Sequence, residues 1–162
     1  MASTLKVNTI QHTGGTSALT IDSSGRILTP ARPAFKACPT GSGNAGATAD
    51  IIFGDVTTAT TGCHNIGGHY NTSTGKFTAP ITGVYVFHFC AGQHGSNVSI
   101  IKFYKNTNAC GTMIQNTGDT SDTLEASQNL HLAANDFVHM KITGGYYEYG
   151  ADSSFFSGYL LG

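Results

Sequence analysis

The chain has 162 residues, room for one ordinary domain and a short appendage. Only 10% of the residues are charged, 21 are glycine, and the formal net charge is −1, so neutral polar side chains stand where Lys and Glu usually do. That balance excludes the dense cationic face a nucleic-acid binder needs and a polybasic membrane anchor, and no apolar run is long enough to insert into and span a bilayer.

The start, Met1-Ala2-Ser3-Thr4-Leu5-Lys6-Val7-Asn8, lacks the apolar stretch of a secretion signal, so synthesis in the cytoplasm with no signal peptide is expected. Residues 1–30 read as a separate extended piece. Leu5–Ile10 alternates apolar and polar with period two, Thr13-Gly14-Gly15-Thr16 is a turn, Ala18–Asp22 is a short strand, and Arg26-Ile27-Leu28 is another. Strands this short cannot bury their own apolar residues, and they order only against neighbours, sister chains or a docking partner. Thr29-Pro30-Ala31-Arg32-Pro33 is a stiff junction.

Residues 31–162 read as one all-β domain. The punctuation by Gly, Asn, Asp, Ser and Thr predicts strands at Ala34–Ala37, Asp50–Thr57, Gly62–Tyr70, Lys76–Thr78, Gly83–Ala91, Ser99–Lys105, Thr123–Leu132, Phe137–Thr143 and Ser154–Leu161. Thr40–Gly46 and Gln115–Asp122 read as loops. In Gly83–Ala91 one face carries Tyr85, Phe87 and Phe89, and the other carries Val84, Val86, His88 and Cys90. In Ser154–Leu161 both parities are again apolar. A strand with one face in water alternates cleanly, and these two do not. One sheet is therefore expected to be covered on both faces, the second by identical copies of the chain, because a wide apolar sheet left open aggregates. Cys38, Cys63, Cys90 and Cys110 lack zinc spacing and, in a chain made in the cytoplasm, are expected as reduced thiols.

The run Asn71-Thr72-Ser73-Thr74-Gly75-Lys76-Phe77-Thr78-Ala79-Pro80-Ile81-Thr82-Gly83-Val84-Tyr85-Val86-Phe87 resembles the signature of the C1q globular-head domain, within the tumour-necrosis-factor-like jelly rolls. Cys63–Tyr70, Asn135-Asp136-Phe137-Val138 and the ending Phe155-Phe156-Ser157-Gly158-Tyr159-Leu160-Leu161 match it in the same order. The resemblance implies a ten-stranded jelly-roll sandwich that assembles as a homotrimer about a threefold axis. Tyr85, Val86, Phe87, His88, Phe89, Phe156, Tyr159 and Leu160 then supply core and trimer packing. Gly75 and Gly83 suit tight turns, and Gly158 suits close approach of a backbone or ring.

Residues 1–30 carry no collagen Gly-X-Y repeat. Leu5–Gln11 and Ala18–Ile27 instead resemble the opening of bacteriophage tail-fibre and virion proteins of the cyanophage type. That resemblance implies a virion structural protein, a tail fibre or tail tip docked to other virion proteins through residues 1–30. It would display its head to a host-surface glycan or protein. The alternatives are a capsid decoration or head-fibre protein, and a secreted-type C1q-like recognition ligand.

An enzyme needs a convergent acid, base or nucleophile set, and none is expected, nor is a cofactor. Asp119 and Asp122 read as turn contacts, with loop calcium as the functional alternative. Seven histidines offer a metal reading only if a threefold axis gathers three copies of one of them. Tyr146-Tyr147-Glu148-Tyr149 reads as an aromatic loop, and Tyr146, Tyr147 and Tyr149 are either a ligand platform or a loop packed on its own domain.

Overall fold

A computed structural model describes residues 5–46, 49–57, 62–93, 98–115, 123–150 and 154–161. The chain divides into two compact units, Met1–Arg32 and Pro33–Gly162. The first is a three-stranded antiparallel meander of β1 (Thr9–Gln11), β2 (Ser17–Ile21) and β3 (Ile27–Leu28). Gly15 and Gly25 turn it at positive φ. Asp22 fixes the second turn by accepting from the backbone N–H groups of Ser24 and Arg26 and from Arg26 Nε at 2.7 Å. The register pairs Ile10 with Leu19 and Ile21 with Ile27, so four aliphatic side chains share one face. No described residue of this unit is buried.

In the second unit the strands are β4 (Ala34–Ala37), β5 (Gly43–Gly46), β6 (His64–Ile66), β7 (Tyr70–Asn71), β8 (Lys76–Thr78) and β9 (Gly83–Gln93), followed by β10 (Ser99–Lys105), β11 (Asn108–Gln115), β12 (Thr123–Leu132), β13 (Phe137–Gly144), β14 (Tyr146–Tyr149) and β15 (Phe155–Leu160). They form a jelly-roll sandwich, with no helix among the described residues. One sheet runs β11-β10-β13-β8-β7. The other runs β5-β14-β9-β15-β4-β6, with β12 on the free side of β9. Ten strands make the expected sandwich, and a short β5–β14 pair extends it.

Several parts differ from the sequence-based expectation: Thr40–Gly46, read as a loop, holds β5, and β11 was not among the predicted strands. Asp50–Thr57 is not a strand; it is tied by single bridges from Asp50 to Lys141 and from Asp55 to Cys38. Gly62–Tyr70 breaks into β6 and β7 because Gly67 and Gly68 both take positive φ. Gly75 is a positive-φ turn whose absent Cβ admits the Ile51 carbonyl, whereas Gly83 opens β9 without positive φ.

The space between the sheets is filled by rings. Phe35 stacks on Tyr70 at 4.9 Å and on Phe77 at 5.0 Å, and Phe156 meets Phe35 edge-on at 5.0 Å. Tyr85, Phe87 and Phe89 are wholly buried beside them. Each buried ring of this kind contributes about 1.5–3 kcal/mol. A Cβ on Gly158 would lie 2.5 Å from Phe87 Cδ1 and 3.0 Å from Phe35 Cε1, so β15 carries glycine there to let both rings in. The Tyr70 hydroxyl donates to the Phe53 carbonyl at 3.2 Å, and burial pushes its pKa up to about 12.

Cys38 and Cys63 form a disulfide across 25 residues, with Cα atoms 6.2 Å apart. This corrects the expectation of four reduced thiols: the fold brings the end of β4 beside the approach to β6, and the bridge closes the loop between them. In the chain-entropy account such a loop is worth about 3–4 kcal/mol. Cys90 and Cys110 are thiols, outside the disulfide.

Asp136 locks the β12–β13 turn to the β10–β11 turn. It accepts from Asn106 Nδ2 at 2.8 Å, from Lys105 Nζ at 2.9 Å and from the Ala133 N–H at 2.9 Å. Asn106 first and Lys105 next hold its carboxyl down at about 2. The folded value lies below the unfolded one of about 3.9. Its contribution is therefore fully present above that pH and is lost as the pH falls through about 2. Asp136→Asn is expected to lower the urea midpoint at about pH 6 and to change it little at about pH 2; equal losses at both would refute the assignment.

Candidate functional site

The outer faces of the two sheets are chemically unlike. On the five-stranded sheet, the side chains turned away from the core include Lys102 and Tyr104 of β10, Lys141 of β13 and Lys76 of β8. Lys76 Nζ lies 4.6 Å from the Phe137 centroid and Lys141 Nζ 6.0 Å from that of Tyr104. Ammonium groups over rings make this a solvated face.

On the seven-stranded sheet the parity that sinks Tyr85, Phe87 and Phe89 of β9 into the core turns Val84, Val86, His88 and Cys90 outward. On β15 the parity that sinks Phe156, Gly158 and Leu160 turns Phe155, Ser157 and Tyr159 outward. The cross-strand register assembles these into rows. One row is Ile66, Ala34, Tyr159, Val86 and Asn129. Tyr159 is 46% exposed and Ile66 44%, with Leu161 at 52% beyond them. Two residues along lies His64, Lys36, Ser157, His88 and Ser127. Cys90 follows, between Phe155 and Glu125. An apolar band thus crosses four strands beside a polar band.

Part of the polar band is tied together by its own side chains. His88 Nδ1 and Ser127 Oγ share a hydrogen bond of 2.7 Å, and the His88 ring stacks on Phe155 at 5.3 Å. Lys36 Nζ lies 5.1 Å from the Phe155 centroid. The Cys90 thiol donates to Glu125 Oε1 at 3.5 Å, and burial, with Glu125 beside it, pushes its pKa up to about 11. A thiol held protonated beside a carboxylate is no nucleophile.

Of the eight residues expected in core and trimer packing, Tyr85, Phe87, Phe89, Phe156 and Leu160 lie in the core, while Val86, His88 and Tyr159 lie on the outer face. Tyr146–Tyr149 is strand β14, not a loop, paired with β5 and with the end of β9. Tyr147 is buried among the core residues, which removes it from a ligand platform; the side chains of Tyr146 and Tyr149 lie outside the described residues. Asp119, Asp122 and His94 also lie outside them. Among the described residues no three His, Cys, Asp or Glu gather as a metal site. His64 is exposed and turns to the Gly62 carbonyl at 3.0 Å. His139 is buried, with Nε2 3.2 Å from the Asn106 carbonyl and Nδ1 3.2 Å from Asp50 Oδ1. The Ile66 and Ala34 end of the apolar band was not among the expected residues; the Ala34-Phe35 alternation was the signal available for it.

The profile of the C1q domain matches residues 34–161. Complement C1q tumor necrosis factor-related protein 2 of Mus musculus is 30% identical over 102 residues, covering 60% of this chain and 34% of that protein. The Homo sapiens protein of the same name is 30% identical over 102 residues, covering 35% of its length. The chain thus spans about a third of these relatives. Among solved structures, the globular domain of zebrafish complement 1qA superposes with a TM-score of 0.62 at 19% identity, over 81% of this chain and 98% of that one. Eiger TNF from S. frugiperda gives 0.58 at 15% identity, over 81% and 93%. Murine APRIL gives 0.58 at 11% identity, over 80% and 99%.

At about pH 8 the native chain is expected to alkylate at Cys90 about 10²-fold more slowly than free cysteine, since so little thiolate is present. Peptide mapping after a timed iodoacetamide pulse reads this directly, and labelling at the free-thiol rate would contradict the Cys90–Glu125 geometry.

Proposed function

The chain belongs to the C1q domain family, and from that premise we propose that it is a non-catalytic recognition head that assembles as a homotrimer. The contact is the outer face of the seven-stranded sheet. The observation that carries this is the apolar row of Ile66, Ala34, Tyr159 and Val86, open in the single chain and flanked by a polar band. Three copies packed by this face around an axis would cover it, and the lysine-bearing sheet would remain in water. The Cys90 thiol and the His88 imidazole of this face are both engaged in hydrogen bonds. A disulfide between Cys38 and Cys63 suits a head displayed in an oxidising medium, which a secreted ligand and an exposed particle surface both meet.

The second reading sets this head on a virion, as a tail fibre or tip or as a capsid decoration, with residues 1–30 as the docking segment. It is favoured by the first unit, a sheet with no buried residue and with Ile10 at 51% and Ile27 at 65% exposure. A face of Ile10, Leu19, Ile21 and Ile27 needs cover from something. The matched residues begin at Ala34, so the docking reading stands on this segment and its resemblance alone.

Sedimentation at micromolar concentration is expected to return a trimer for the full chain. Val86→Lys and Tyr159→Lys are expected to return monomers with unchanged circular dichroism, because an unpaired ammonium buried at the contact costs several kcal/mol. A monomeric parent chain would overturn the proposal. For the second reading, removal of residues 1–32 is expected to leave the trimer intact and to abolish incorporation into particles. Loss of the trimer itself would make that segment the oligomerising element instead.

A further inference from the structure

Beside the β7–β8 hairpin lies an open cleft of about 580 Å³, lined by Gly68, His69, Asn71, Thr72, Pro80 and Asn135 among others. We propose that this cleft is a binding site for a neutral saccharide. This reading does not depend on the trimer.

The walls are fixed before any ligand arrives. The Thr78 N–H donates to the His69 carbonyl at 2.9 Å, and the Asn135 N–H donates to the Ala79 carbonyl at 2.8 Å. Asn65 clamps the strand from below, its Nδ2 donating to the Tyr70 carbonyl at 2.8 Å and its Oδ1 accepting from the Tyr70 N–H at 3.1 Å. Asn135 stands at φ 71, the left-handed conformation asparagine tolerates, and the neighbouring Asp136 locks its turn. His69 lies across Gly67, where a Cβ would collide with the ring, and its other side meets the edge of Phe77 at 6.4 Å.

Among the described residues the side chains of Asn135, His69, Thr72 and Thr78 make no hydrogen bond within the protein. An amide, an imidazole and hydroxyls supply donors and acceptors together. Among the described residues no Lys, Arg, Asp or Glu lines the cleft. Phosphate, nucleotide and carboxylate ligands would find no Lys or Arg to pair with among them. A peptide added to the sheet edge would find only the two residues of β7 to pair with. A ligand rich in neutral hydroxyls, with a C–H face to lay on the Pro80 ring, fits what remains, and the volume suits one or two sugar rings.

The test is an amide-resolved NMR titration of the full chain with lactose, maltose and cellobiose, alongside a heparin disaccharide and a proline-rich octapeptide. At least one neutral sugar is expected to give saturable shifts at residues 68–72, 78–80 and 135, with a Kd on the order of 1 mM. Asn135→Gly keeps the left-handed backbone and removes the amide, and Thr72→Val removes one hydroxyl at constant shape. Each is expected to weaken binding about 5-fold or more, the loss of one hydrogen bond to a ligand, with the melting temperature unchanged. Saturable shifts confined to other residues, full affinity in both variants, no saturation by any neutral sugar, or binding of the charged disaccharide or the peptide alone would overturn the proposal.

Discussion

The constraint on which the rest of this molecule depends is the seating of aromatic rings between the two sheets. Phe35, Phe77, Tyr85, Phe87 and Phe156 interleave at ring separations near 5–6 Å, and Gly158 leaves the gap that admits Phe87 and Phe35. Because strand side chains alternate with period two, fixing those rings inward leaves no choice about what faces outward. Val86 sits between Tyr85 and Phe87, and Tyr159 sits between Gly158 and Leu160. The outer band is therefore a by-product of the core register. A one-residue slip of β15 would carry Tyr159 into the core and expose Phe156.

This is also why the Val86 and Tyr159 half of that band was legible in the sequence while much else was not. The strands β9, β10, β12, β13 and β15 carry periodic apolar residues and were readable within a residue or two at each end. β5 is Gly43-Asn44-Ala45-Gly46, with no β-branched or aromatic residue, and it is a strand only because β14 pairs its backbone. β14 itself looked like a loop because glycines and acids surround its tyrosines; tertiary pairing overrode that local signal. Asp50–Thr57 erred the other way. It has the composition of a strand, but its backbone is taken up by single bridges to two different neighbours.

The disulfide and the cleft were illegible for a shared reason. Four cysteines allow three full pairings, and spacing does not choose among them. The choice is made by β4 pairing with β6, which carries Cys38 and Cys63 together. The cleft gathers Gly68, His69, Thr78, Pro80 and Asn135 from turns that no period connects. What the sequence did carry was the pair of adjacent glycines at 67 and 68 and the Asn-Asp pair at 135 and 136. Those glycines have no role in a phosphate loop, and the structure uses them to set the His69 ring.

The scarcity of charge sharpens the contrast between the surfaces. With eight Lys and Arg residues in the whole chain, placing Lys76, Lys102 and Lys141 on the five-stranded sheet leaves the other sheet Lys36 among the described outward positions, and that one lies over Phe155. A face that joins identical copies carries the same charge on every copy, so each lysine there opposes association unless it is paired or covered. A face kept in water has the opposite requirement, since charge is what keeps it from sticking. The distribution of so few lysines thus matches a molecule with one surface for its own kind and one for solvent. The cleft is separate from both, and among the described residues the side chains of Asn135, His69, Thr72 and Thr78 in it make no hydrogen bond within the protein.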